Sequence, residues 1–153
     1  MTKKITFSGM CCAISVVMVL LTNVFQFNTA FLLCIAAAVF PLVKIKCGTS
    51  YAAAAVFVSC VLSFILLAEK IYVLTFSLLA VYSIIKGIIE KLDRVWLEWV
   101  LKLVVYFIGA AAVLKIFMPG LLLWGILAGI IIFVIYDVAL SIFITFALKK
   151  LKL

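Results

Sequence analysis

Histidine is absent from this 153-residue chain, and five acidic residues face thirteen basic ones. Without imidazole, the commonest metal ligand and the usual general base are both missing. No H-E-x-x-H, G-x-S-x-G or phosphate-cradling glycine loop occurs. Cys11, Cys12, Cys34, Cys47 and Cys60 show no C-x-x-C spacing and sit within or beside apolar runs. There a thiol acts as a small hydrophobe, and an odd count leaves a disulfide framework incomplete. Acylation of Cys11 and Cys12 is the alternative use. These absences point away from an enzyme, a metal site or a bound cofactor. Nor is there a nucleotide-binding module, so energised transport would need partner subunits.

Apolar residues make up 71% of the chain, charged residues 12%, and the mean hydropathy is +1.53. A soluble domain is about half apolar, so the solvent implied here is a bilayer. The apolar runs are continuous instead of alternating, which selects helices over a barrel. At roughly 20 residues per crossing, the chain has room for about six spans and little else. The expectation is one all-α transmembrane domain, residues 1–153, with membrane lipid as its surroundings. The spans fall at 5–25, 29–43, 51–67, 71–85, 96–117 and 121–148, with Pro41 ending or kinking the second. The first run is too long for a signal peptide and lacks a small-residue cleavage site, so it reads as a retained span.

Lys3, Lys4, Lys44, Lys46, Lys86, Lys91, Arg94, Lys149, Lys150 and Lys152 fall on one side of this arrangement, and Lys70 and Lys115 on the other. Basic residues stay in the cytoplasm, so both termini are expected inside. The net charge of +8 is thereby spread over membrane flanks next to an anionic leaflet, with no nucleic-acid surface implied.

Charge and apolar residues mix densely only in YSIIKGIIEKLDRVWLEWVLK, residues 82–102. Lys86, Glu90, Arg94, Glu98 and Lys102 recur every four residues, which predicts one stripe on an interfacial helix, with Glu90–Arg94 and Glu98–Lys102 as pairs. A solvated loop between spans is the alternative. Lys86, Glu98, Lys102 and Asp137 are the candidate intramembrane charges, and deepest in the apolar runs lie Lys102 and Asp137. Their depths match on antiparallel helices, so they are expected to pair, with Glu98 as the rival partner of Lys102 and an interfacial Asp137 as the alternative.

Small residues stand four apart in SGMCCAISVV, giving the first span a smooth strip suited to close helix approach. Gly9 and Ala13 are its candidate partner-docking positions. Gly125 and Gly129 have the G-x-x-x-G spacing and are read as packing within the molecule. At the outer ends, Asn23, Gln26, Asn28, Tyr72 and Trp124 are candidate contacts for a small-molecule ligand. Tyr72 and Trp124 also suit interfacial anchoring.

The small-residue strip, the six spans and the stretches VYSIIKGIIEKL, EWVLKLVVYF and IYDVALSIFITF resemble the substrate-capture (S) subunits of energy-coupling factor transporters. That resemblance implies a multi-pass protein of the bacterial cytoplasmic membrane that takes up a vitamin-like molecule, energised by a coupling transmembrane subunit and ATPase subunits. It also implies docking through Gly9 and Ala13, where glycine replaces one of the family's two alanines. The same architecture is similar to rod-shape scaffolds of the MreD type, which leaves a non-transporting scaffold as the alternative.

Overall fold

The computed structural model describes residues 2–89, 95–117 and 122–151. They form helices α1 (Thr2–Leu21), α2 (Thr29–Ala38), α3 (Phe40–Cys47), α4 (Thr49–Leu66), α5 (Lys70–Ile89), α6 (Val95–Phe117) and α7 (Leu122–Leu151), with a short 3-10 turn at Gln26–Asn28 and no strand among the described residues. Four stretches, Thr2–Leu21, Thr29–Cys47, Thr49–Leu66 and Gly129–Phe146, are long and apolar enough to cross a membrane. The chain is an all-α membrane protein.

Side-chain placement says the same independently. Ser15, Ser59 and Ser63 are fully buried, while Phe57, Phe64 and Ile65 are exposed. In water this arrangement would leave a large apolar surface uncovered. In lipid, small residues belong between helices and large apolar ones face the tails.

α1 turns Ser8, Cys12 and Ser15 inward, and α4 meets it with Ala52, Ala55 and Ser59. Their backbones approach closely enough for Cys12 Sγ to lie 3.0 Å from Ser59 Oγ. Ser8 Oγ donates to the Tyr51 carbonyl at 3.4 Å. The strip read from the sequence therefore divides between two faces: Ser8, Cys12 and Ser15 are buried, whereas Gly9 and Ala13 are exposed.

The second run is kinked at Pro41 and does not end there. α2 stops at Ala38, and α3 resumes with Pro41 in its first turn and continues to Cys47, four residues beyond the expected end. Proline supplies no N–H for the carbonyl one turn back, which breaks the ladder at this point. Ser15 of α1 donates to the neighbouring Ala36 carbonyl at 2.8 Å and so joins α1 to the kink. Gly48, at φ +104°, makes the turn into α4 that a side chain would resist. Lys70 closes the other end of α4, donating to the carbonyls of Phe64 at 2.7 Å and Leu67 at 2.8 Å. A cation there meets the carbonyls that a helix end leaves unpaired.

Candidate functional site

Three helices carry matching stripes. On α5, Thr75, Leu79, Tyr82 and Lys86 follow at spacings of four, three and four, so they share one face. On α6 the corresponding series is Gly109, Tyr106 and Lys102, and on α7 it is Gly129, Phe133, Asp137 and Ser141. Apart from Thr75, each stripe is apolar or aromatic toward one end and charged or polar toward the other. Where the three meet, an aromatic layer lies directly against a charged one.

The charged layer centres on Asp137, which is 3% exposed, with Lys86 at 0% and Lys102 at 3%. Lys86 Nζ lies 2.6 Å from Asp137 Oδ1, and Lys102 Nζ lies 3.1 Å from Oδ2. Tyr82 donates its hydroxyl proton to Oδ1 at 2.5 Å. Lys86 also donates to the Asp137 backbone carbonyl at 2.5 Å and to Ser141 Oγ at 2.6 Å. Three acceptors on α7 thus match the three donors of one ammonium. Ser141 in turn donates to the Asp137 carbonyl at 3.0 Å. A buried charge is tolerable when its bonds are made this fully.

The structure brings Lys102 and Asp137 together, and it corrects the reading of one helical stripe through residues 86–102. Lys86 and Lys102 would lie about 24 Å apart along a single helix. They instead reach the same carboxylate from α5 and α6, so the chain has reversed between them. Glu90 and Arg94 lie outside the described residues, as does the side chain of Glu98.

The aromatic layer borders a cavity of about 290 Å³ between α2, α5, α6 and α7. Tyr82, Tyr106, Phe133 and Tyr136 supply four rings, and Cys34 closes it from α2. Tyr82 meets Phe133 edge-on at 4.8 Å, and Tyr106 lies 4.7 Å from Phe133. The gap exists because α5 and α7 are joined by long side chains at Asp137 and make hardly any close backbone approach among the described residues. Tyr82 belongs to both layers: its ring lines the cavity and its hydroxyl holds Asp137. Tyr136 is buried in the wall, and its hydroxyl has no hydrogen-bond partner among the described residues.

Of the outer polar candidates, Asn23, Asn28 and Tyr72 are not among the described residues that line this cavity. Asn23 and Asn28 are exposed at the turn after α1, and Tyr72 is half-buried against the core. The side chains of Gln26 and Trp124 lie outside the described residues. Gly129 lies at the cavity, and a Cβ there would run into the Tyr106 hydroxyl. Gly125 has no described side-chain environment. On α1, exposed Gly9 borders a shallow groove with Ile5 and Cys12, faced by Tyr51, Ala54 and Val58 of α4. Among the described residues no group of three His, Cys, Asp or Glu side chains comes together.

The sequence reading passed over Tyr82, Tyr106, Phe133, Tyr136 and Cys34. A local signal was present: Tyr82 precedes Lys86 by four, Tyr106 follows Lys102 by four, and Phe133 precedes Asp137 by four. Each intramembrane charge therefore has an aromatic ring one turn away on its own helix. Comparison with known proteins finds no matching family model, no matching curated protein and no matching solved structure.

Proposed function

We propose that the chain is a six-span subunit of the bacterial cytoplasmic membrane, with both termini inside, that captures a vitamin-like small molecule for transfer by a coupling subunit and partner ATPases. The observation that carries this reading is the ring-lined cavity of about 290 Å³ within the helices, next to a charged cluster joining three of them. Such a cavity is close to the size at which small-molecule sites begin. The exposed Gly9 and Ala13 give α1 a face on which another helix can seat closely. Capture and energy input then fall on separate chains, in keeping with the lack of a nucleotide-binding module.

A non-transporting scaffold of the MreD type is the second reading. It is favoured by the exposure of Asn23 and Asn28, away from the cavity, because a receptor for a polar solute uses convergent polar groups. Affinity purification from the native membrane separates the two. Transport predicts recovery of a coupling subunit with an ATPase pair, and loss of both with Gly9→Leu or Ala13→Leu while the protein stays inserted. Recovery of cell-wall machinery in their place would overturn the capture reading.

A further inference from the structure

We propose that the cavity binds a neutral, two-ring aromatic molecule carrying a single hydrogen-bond acceptor, and that this molecule enters sideways from the hydrocarbon of the bilayer. The inference rests on the capture reading and narrows its solute.

Size sets the first limit. An apolar cavity of about 150 Å³ accommodates one benzene ring, so 290 Å³ suits roughly two. Shape sets the second. Tyr82, Tyr106, Phe133 and Tyr136 surround the space with π faces and edges, which attract a flat aromatic body through offset and edge-to-face contacts.

Access sets the third. Val81 on α5 and Ile132 on α7 line the cavity and are exposed on the outer surface of the bundle, at 45% and 57%. Each lies about 15 to 17 Å along its helix from the end nearest residue 70 or 122, close to the middle of a hydrocarbon core about 30 Å thick. An opening at that depth faces lipid tails. A charged or strongly polar solute cannot wait there without losing its hydration, whereas a neutral aromatic one is already dissolved.

The single acceptor follows from Tyr136. Tyr136 belongs to the cavity wall, and its hydroxyl is buried just behind that surface with no hydrogen-bond partner among the described residues. A group left in that condition gains from any acceptor brought to it. The charged layer does not invite an anion, because Lys86 and Lys102 are directed at Asp137 and are not among the residues that line the cavity.

The test uses the full chain in lipid nanodiscs, with 2-acetylnaphthalene as the ketone-bearing probe and naphthalene as the probe without an acceptor. Empty nanodiscs correct for partitioning. Both probes should bind saturably, and Tyr136→Phe, which keeps the ring, should weaken 2-acetylnaphthalene about three- to tenfold while leaving naphthalene unchanged. Cys34→Trp should obstruct the cavity and weaken both at least tenfold. Ile132→Trp, at an exposed rim position, should also weaken both without disturbing the packed interior.

Binding of 2-acetylnaphthalene that is indifferent to all three substitutions would place it outside the cavity and overturn the proposal. Saturable binding from a panel of charged, water-soluble vitamins, lost in Cys34→Trp, with neither naphthalene probe bound, would overturn the ligand class and leave capture standing. Silence from both sets would overturn capture itself.

Discussion

Asp137 is the residue on which the junction of α5, α6 and α7 depends, because one carboxylate engages an ammonium on α5, an ammonium on α6 and a tyrosine hydroxyl. Asp137→Asn removes the charge and leaves both lysines facing an amide in a dry interior. It should lower stability in detergent by about 3 to 5 kcal/mol, read from denaturant or thermal unfolding. A loss below about 1 kcal/mol would mean that the site is wet. Exchanging the charges, Lys102→Asp with Asp137→Lys, should not rescue stability, because the new ammonium would sit beside Lys86. Recovery on exchange would reduce the cluster to a simple pair. The Lys102–Asp137 contact was legible because both residues interrupt apolar runs at matching depths on antiparallel spans. The role of Lys86 was not, because four-residue spacing fits one helix as well as a chain that turns back. Periodicity carries no record of where a helix ends when the intervening residues are amphipathic.

At the scale of elements, the helices were readable from the apolar runs, and the kink at Pro41 from proline's missing N–H. The cavity was not, because its lining is shared among four helices and each contributes only scattered rings within an already apolar run. Helix spacing here depends on two glycines. Gly109 leaves room for Leu78 of α5, whose nearest side-chain atom would be 2.7 Å from an added Cβ, and Gly129 leaves room for the Tyr106 hydroxyl of α6. Gly129→Ala should therefore destabilise the α6–α7 contact by about 1 to 3 kcal/mol through overpacking. The double variant Gly129→Ala with Tyr106→Phe should be less destabilised than the sum of its parts, since the phenylalanine lacks the obstructing oxygen. Strict additivity in a thermal-unfolding cycle would show that the two positions do not touch.

For the whole molecule, the reading that puts both termini inside rests on the distribution of lysine and arginine, and side chains reporting from either face can check it. A single cysteine at position 91 in a cysteine-free background should be labelled only after the cytoplasmic face is opened, and one at position 69 should be labelled in intact cells. Labelling of position 91 from outside would invert the topology. The meeting of α5, α6 and α7 at Asp137 also has a temporal side. Synthesis runs from the N-terminus, so Lys86 and Lys102 leave the ribosome some 50 and 35 residues before the carboxylate that receives them. During that interval α5 and α6 carry two lysines whose shared carboxylate has not yet been made, which raises the cost of holding them within a span. Commitment of these helices to the bilayer is therefore expected to be complete only when the last helix arrives. In a nascent chain stopped after residue 121, the same cysteine reporters should show α5 and α6 incompletely inserted, and release of the full chain should complete their entry.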